Sequence, residues 1–299
     1  MDITRETLAA MYVAFKKNFQ VGFDRPAASW NKVATLVPSN TAQNFYDWLG
    51  SFPGMREWIG DRQIKFAGEY DYAIKNRKFE QTIGVPIDKI EDDLLGMYAP
   101  MFESMGEAAS LWPDEIVWEA IRNAFVTNCY DGQFFFDTDH PTYNADGDQN
   151  GTVSNTQGGA GAPWMLLNTK KTLKPFIWQL RQAPSRLIKL DREEDQNVFF
   201  KDQYIYGTKG RGNSGYGFWQ MAHGSKQTLN AANFRLARQA MEAIKDDRGR
   251  PVVNSPNLLV VGPALRDTAE ELIKKERLTG GEDNVLKDAV EVMVSPYLY

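Results

Sequence analysis

The stretch Tyr70–Asn128 constrains the fold more than any other part of the sequence, because strand periodicity passes directly into helix periodicity there. From Phe79 to Ile87, apolar side chains alternate with mostly polar ones, which predicts a half-buried strand. A long helical pattern follows with no loop between the two. A strand followed by a helix is typical of an α+β fold. The stretch contains no recognisable catalytic motif, so we do not expect an active site in it.

The helix after this strand is expected to span about residues 92–128. Asp92 and Asp93 supply side chains that can cap its first amides. Pro113 lies in its middle, and acidic Asp114 follows as it would in the first turn of a new helix. We therefore predict a bend or break at the proline.

Composition limits the classes of function. The chain has 299 residues, is 42% hydrophobic and carries a formal net charge of −5, so it forms a real core but lacks the basic surface of a protein that wraps nucleic acid. The single Cys129 excludes an internal disulfide and a metal cluster built of cysteines, which is typical of a reducing compartment. The first residues do not form a signal peptide, and no apolar run is long enough to span a bilayer.

The N-terminal segment Thr4–Phe19 predicts an amphipathic helix. Its apolar face packs either on its own domain or, as an arm, on a neighbouring subunit, and the pattern leaves both open. Residues 50–88 are interpreted as a long β-rich excursion, and residues 131–163, with several Gly-containing turn pairs, as an irregular loop.

The remaining segments predict further strands and helices. The strands are Trp164–Leu167, Phe176–Leu180, Val198–Phe200, Tyr204–Tyr206, Leu258–Val261 and Val290–Ser295. A helix from about Asn230 to Lys245 precedes the strand at Leu258, and a second helix opens at Pro263. This last third is expected to form an α/β unit.

One cluster of side chains has the composition of a metal site. Asp137, Asp139 and His140 place two carboxylates and an imidazole close together along the chain. The flanking phenylalanines and Pro141 fit equally well a buried anchor with a capped turn. We favour the structural interpretation and assign no catalytic, cofactor-binding or metal-binding residues.

A glycine motif matches the dinucleotide fingerprint in letters only. Gly210, Gly212 and Gly215 have its spacing, but the Tyr-Gly-Phe-Trp segment that follows does not begin a helix. We interpret the motif as a flexible glycine loop. The sequence also lacks a GxxxxGK[ST] phosphate loop and a GxSxG nucleophile elbow, so it offers no support for these two classes of enzyme.

Four stretches of sequence resemble one family closely: Ile3–Phe19, Phe52–Asp61, Cys129–Pro141 and Gly217–Ala222. Together they spread over most of the chain. The chain resembles the major head subunit gpT of Mu-like phages and prophages, and the order of its predicted elements is similar to the HK97-like fold of tailed-phage major capsid proteins.

The resemblance implies an architecture. Residues 1–49 correspond to an N-terminal arm and residues 50–90 to the E-loop, a β-hairpin. Residues 91–170 correspond to a peripheral domain that contains the spine helix and the loop-rich segment. Residues 171–299 correspond mainly to an axial α/β domain with closing peripheral strands.

The resemblance also implies a function. The protein would be a structural virion component without enzymatic activity or cofactor, assembling in the bacterial host cytoplasm into the icosahedral head that encloses double-stranded DNA. Its implied partners are other copies of itself in hexamers and pentamers, a separate scaffold, a head protease, the portal and a decoration protein, with no sequence-specific DNA binding and no membrane. The alternatives are a tail-tube or baseplate protein, or a metal-dependent enzyme that uses Asp137, Asp139 and His140.

Overall fold

The computed structural model describes residues 4–49, 71–91, 97–146, 148–277 and 280–299. The helices in these ranges are α1 Arg5–Asp24, α2 Trp30–Val33, α3 Ile87–Glu91, α4 Ala99–Arg122, α5 Gln196–Lys201, α6 Ala231–Glu242 and α7 Arg266–Lys274. The strands are β1 Ala34–Pro38, β2 Gln43–Phe45, β3 Ala73–Lys75, β4 Arg77–Pro86, β5 His140–Tyr143, β6 Gln149–Val153, β7 Thr156–Gly159, β8 Trp164–Leu167, β9 Phe176–Gln182, β10 Ile188–Leu190, β11 Gln203–Tyr216, β12 Ala222–Lys226, β13 Leu258–Val261 and β14 Glu291–Val294. The first part of the predicted excursion, the stretch Phe52–Asp61 and the predicted caps Asp92 and Asp93 lie outside the described residues.

Helix α1 is amphipathic and packs its apolar face against α4. Thr4 caps it, with its hydroxyl accepting a hydrogen bond from the amide of Thr7 at 3.2 Å. Met11, Phe15 and Phe19 are buried in one cluster with residues of α4 and β11. The helix was expected to pack either on its own domain or on a neighbouring subunit. Its buried face packs on its own chain, so the first interpretation is confirmed for that face.

Helix α4 continues without interruption through Pro113, so the predicted break there is wrong. A bend at this residue stays a prediction. The helix begins at Ala99, later than expected, and a single 3-10 turn, Asn123–Phe125, follows its end at Arg122. A proline inside a helix costs about 3 kcal/mol because it removes a hydrogen bond and crowds the preceding turn, so other contacts must hold α4 together at this point.

The residues on both sides of the proline supply these contacts. Trp112 packs edge-on against Trp178 of β9, with ring centroids 5.0 Å apart. Asp114 is buried, and its carboxylate accepts hydrogen bonds from the backbone amides of Ser29 at 3.0 Å and Trp30 at 2.5 Å. Asp114 is thus not the start of a new helix but the group that holds the beginning of α2 against α4.

The first sheet is built on the long strand β11. Its path is β1-β9-β11-β10, and β4 pairs with β11 on the other side. The β4–β11 ladder is antiparallel and runs from Arg77 opposite Gly212 to Pro86 opposite Gln203. The strand predicted from the alternating pattern is confirmed, and α4 packs across this sheet.

The glycine motif lies inside β11, so its interpretation as a flexible loop is wrong. A Cβ atom at Gly210 would lie 3.0 Å from the ring of Trp112, and one at Gly212 would lie 3.0 Å from the ring of Trp178. These glycines leave room for the two tryptophans to reach the strand backbone. Their spacing reflects packing and not phosphate binding.

The predicted strand Val198–Phe200 is wrong, because these residues belong to helix α5. The side-chain amide of Asn197 donates hydrogen bonds to the carbonyl oxygens of Leu190 at 3.1 Å and Gln203 at 2.7 Å, which ties the helix to the strands before and after it. Asp202 ends the helix in the left-handed conformation, with φ of 50°. These side-chain contacts outweigh the strand preference of the local sequence.

The second sheet has the order β14-β13-β8-β12-β7 and forms an α/β unit with α6 and α7. The strands predicted at Trp164–Leu167, Leu258–Val261 and Val290–Ser295 and the helix predicted from Asn230 are confirmed within a few residues at their ends. The helix expected at Pro263 begins at Arg266, after a 3-10 turn.

The predicted irregular loop 131–163 is wrong in part. Strands β5 and β6 pair as an antiparallel hairpin, with His140 opposite Val153, and β7 joins the second sheet. Asn155 anchors the end of this hairpin: it is fully buried, and its side-chain amide donates to the carbonyl oxygen of Phe135 at 2.8 Å. The turn pairs of this segment therefore punctuate short strands.

Candidate functional site

A buried polar cluster joins the turn that follows α4, residues 129–133, to the start of the hairpin β5–β6. The carboxylate of Asp131 accepts a hydrogen bond from the Cys129 thiol at 3.1 Å through Oδ1, and its Oδ2 lies 2.7 Å from Nδ1 of His140. Oδ1 also accepts from the amide of Gln133 at 3.1 Å. The imidazole of His140 stacks on the indole of Trp219, with centroids 3.9 Å apart.

The cluster has the residue types of a metal site, and hydrogen bonds join its side chains. The candidate ligand atoms of Cys129, Asp131 and His140 lie within 4.8 Å of one another. Burial, reinforced by the negative charge of Asp131, raises the pKa of the Cys129 thiol far above its usual value, so this group stays protonated and donates. Each of the three side chains thereby has a partner inside the cluster.

Of the predicted metal ligands, Asp137, Asp139 and His140, only His140 belongs to this cluster. Burial alone would raise the pKa of Asp137, but hydrogen bonds from the amides of Thr138 and Phe134 outweigh it and hold the pKa below its usual range. Asp139 is exposed, and its pKa is raised by a hydrogen bond with the Asp137 carboxyl group. The turn therefore uses Asp137 as a cap, in agreement with the structural interpretation.

Sequence reasoning missed Asp131 as the partner of His140. The eight residues between them include the aromatic run Phe134–Phe136, two members of which are buried in the main core. Burial of this run brings Asp131 next to His140, nine positions further along the chain. No motif with fixed spacing marks the pair.

His223, the other histidine, is a buried group without a polar partner. It lies on β12 opposite Leu166 of β8 and is 2% exposed. Neither of its ring nitrogens has a hydrogen-bond partner within the described residues. Burial lowers the pKa of His223 to about 4 from its usual 6.5.

This lowered pKa predicts sensitivity to acid. The unfolded chain binds a proton at His223 more tightly than the folded one, so stability is complete above pH 6.5 and falls as the pH drops toward 4. The loss should reach about 3 kcal/mol. His223→Leu removes the titrating group. The free energy of unfolding is measured with denaturant at neutral pH and at pH 4, and we expect its loss between the two to be about 3 kcal/mol smaller in the variant than in the unaltered protein. An equal pH dependence in both proteins would contradict the assignment.

The surface carries pronounced apolar groups at one end of the first sheet. Phe199 and Phe200 of α5 are 75% and 74% exposed and contact each other edge to face, with centroids 5.0 Å apart. Ile188 and Leu190 of the neighbouring strand β10 are about half exposed. Large exposed apolar groups of this kind mark surfaces that meet another protein.

Within the described ranges, no helix combines the length and the apolar character needed to cross a membrane.

Comparison with known proteins places these features in a family. Residues 8–298 match the family model of the Mu-like prophage major head subunit gpT. The chain is 40% identical over 293 residues to the Mu-like prophage FluMu major head subunit of Haemophilus influenzae, covering 96% of this chain and 94% of that relative. It is 36% identical to the major capsid protein of Escherichia phage Mu over 308 residues, which cover 100% of both chains.

Solved structures give the same picture. The chain superposes on a subunit of the bacteriophage JBD30 procapsid with a TM-score of 0.87, at 43% identity over 99% of this chain and 100% of that one. A subunit of the bacteriophage JBD30 capsid gives a TM-score of 0.76, at 34% identity over 100% of both chains. Both neighbours are subunits of a phage procapsid or capsid.

The alternatives weighed from the sequence are thereby corrected. The relatives are head subunits and major capsid proteins, and not tail-tube or baseplate components. The family is structural, so the metal-dependent enzyme with Asp137, Asp139 and His140 is also overturned. The chain belongs to the Mu-like gpT family of major head subunits, the structural proteins with the HK97-like fold that form the capsid of the tailed-phage virion.

Proposed function

We propose that copies of this chain form the hexamers and pentamers of an icosahedral head, assembled in the host cytoplasm around a separate scaffold. The observation that carries this proposal is the match over nearly the whole length to the head subunit of one prophage and the capsid protein of phage Mu. The exposed apolar side chains support it, because they contribute no stabilising burial in an isolated subunit but do so when a neighbouring copy covers them.

The domain division follows from how the sheets are built. We assign α4 as the spine helix of the peripheral domain and the sheet of β1, β4, β9, β10 and β11 as its β layer. Strands β9 to β11 fall beyond residue 170, and we group them with this domain because they pair with one another and with β4. The second sheet with α6 and α7 is then the axial domain. The proposed arm, residues 1–49, and the proposed E-loop, residues 50–90, contribute β1 and β4 to this layer.

Charge supports a passive role toward nucleic acid. A net charge of −5 disfavours tight binding to DNA phosphates, so the head would enclose double-stranded DNA without sequence-specific contacts. A head protease, a portal and a decoration protein are the further partners we propose. The JBD30 capsid, which has been solved with minor capsid protein trimers bound, is a precedent for the last of these.

The direct test is assembly of the purified or co-expressed protein. Expression of this chain together with the scaffold gene of its own phage or prophage should give closed icosahedral shells in negative-stain images. A control expression without the scaffold separates aggregation from ordered assembly. Tubes or isolated rings as the only product, under conditions where the subunit is folded, would contradict the proposal.

A further inference from the structure

The two ends of the β4–β11 ladder carry surfaces of opposite character. The ladder has one end where Pro86 pairs with Gln203 and the other where Arg77 pairs with Gly212. At a rise of about 3.3 Å per residue the two ends are roughly 30 Å apart. One chain can therefore present a different surface to a neighbour at each end.

The first end carries a projection that we name the α5 knob, residues 191–202. Its turn exposes Glu193 and Glu194, and its helix exposes Phe199 and Phe200. The hydrogen bonds of Asn197 to both flanking strands fix its position on the sheet. The two phenylalanines leave about 300 Å² of apolar surface in water, which is typical of an anchor that becomes buried in an interface.

The other end carries the basic turn, residues 75–78, which joins β3 to β4. Lys75 and Lys78 are exposed, while Arg77 forms an exposed ion pair with Glu119 at 2.8 Å. Buried Asn76 holds the turn in place, because its side-chain amide donates to Ser39 Oγ at 2.8 Å.

A groove of about 390 Å³ opens beside the basic turn, between β3, α4 and β11. Its lining is mixed. Apolar atoms come from Ile74, Ile116, Ala120, Tyr72 and Tyr216, and polar ones from Glu119, Asn123, Thr127, Asn128, Asn213 and Ser214. Among the described residues no side chain fills it, and its volume is sufficient for aromatic side chains. The groove and the basic turn thus offer apolar surface and positive charge side by side.

We propose that the α5 knob of one subunit docks into this groove on a second copy of the chain. Phe199 and Phe200 enter the groove, and Glu193 and Glu194 face Lys75 and Lys78. The proposal rests on the proposed function, because it identifies one of the contacts between copies in the shell.

Two arguments favour a second copy as the occupant. The complementary surfaces lie at opposite ends of the same chain, so the contact is head to tail and can be repeated from subunit to subunit, which is how rings close. A contact of two knobs with each other would instead bring Glu193 and Glu194 of both copies together, and like charges facing each other oppose association.

The apolar part of the contact is tested with Phe199→Ser and Phe200→Ser combined. Both side chains are already exposed, so the thermal unfolding midpoint of the subunit should not change. The subunit concentration needed for shells should rise about tenfold or more. Leu236→Ser on α6, which removes an apolar side chain 57% exposed at another surface, is the matched control and should assemble normally. Normal assembly of the double variant would overturn the inference.

The charged part is tested by exchanging the charges. The variant Glu193→Lys with Glu194→Lys, and separately Lys75→Glu with Lys78→Glu, places like charges on both surfaces and should reduce the yield of shells. The variant with all four substitutions restores complementarity in reverse, and shells should return. If the variant with four substitutions gave no higher yield of shells than the variants with two, the pairing would be overturned.

These outcomes separate this inference from the proposed function. If the unaltered chain forms no shells with its scaffold, the proposed function fails. If the unaltered chain and the serine variant both form shells at the same concentration, only the docking of the knob fails. Loss of binding to the scaffold alone, with shells still formed, would assign the knob to the scaffold and would also overturn the inference.

Discussion

Replacing Gly106 with valine is expected to separate helix α1 from helix α4 and to prevent shell formation. A Cβ atom at Gly106 would lie 2.0 Å from the backbone carbonyl oxygen of Phe19, far closer than atoms can approach. Gly22 on the facing helix has the same role, since a Cβ there would lie 1.8 Å from the carbonyl oxygen of Glu103. The two helices therefore touch backbone to backbone at a pair of glycines.

The expected loss is large because the neighbouring atoms belong to backbone and cannot rotate away. Forcing the helices apart also exposes Phe15 and Phe102, whose rings stack with centroids 4.1 Å apart. We expect Gly106→Val to lower the free energy of unfolding by about 3 kcal/mol or more. Denaturant unfolding measures this loss, and limited proteolysis should show cleavage within α1 that the unaltered protein resists.

Ala108→Val is the matched control. Ala108 lies two residues further along α4 on an exposed surface, so valine there introduces the same side chain without a clash, although it lowers helix propensity whereas Gly→Val raises it. It should unfold within about 0.5 kcal/mol of the unaltered protein. Equal stability of the Gly106 and Ala108 variants would show that the two helices are not held in backbone contact.

The elements that could be predicted are those whose signal is local. Strand β4 follows from its alternating side chains, and α1 follows from a capping residue and an apolar stripe. The α/β unit of the last third was predicted from a helix and a buried strand that are adjacent in the sequence. In each case the residues that decide the structure are close neighbours along the chain.

Two of the errors share one physical cause, which is a contact between residues far apart in the sequence. Pro113 does not interrupt α4, because Trp112 and Asp114 are held by residues of β9 and α2. Gly210 lies in a strand, because Trp112 needs the space beside it. No pattern within a short window contains this information.

In the polar cluster, too, the fold and not the local motif selects the partner of His140. Adjacent acidic and imidazole side chains drew attention to Asp137 and Asp139, yet His140 turns toward Asp131. An isolated motif suggests which residue types are close in sequence, whereas the fold decides which atoms meet.

Replacing Asp131 with alanine is expected to be the most damaging change in this cluster. Its carboxylate is the common acceptor for the thiol of Cys129, the amide of Gln133 and the imidazole of His140. The side chains of Asp131 and His140 are 2% and 0% exposed, so the donors would be left in a site with little access to solvent. Buried donors left without a partner in this way cost about 3 to 5 kcal/mol of stability.

Two further variants identify the cause of that loss. Asp131→Asn keeps the shape but replaces one acceptor oxygen by a donor, so it should lose less stability than alanine does. Asp139→Ala removes an exposed carboxylate eight residues away and should change the free energy of unfolding by less than about 0.5 kcal/mol. Denaturant unfolding of all three variants ranks them. If Asp131→Ala were as stable as Asp139→Ala, the buried network could not be what fixes the hairpin β5–β6 to the turn that follows α4. The graded order would instead show that this Cys, Asp and His cluster stabilises the fold of the subunit through its shared carboxylate acceptor.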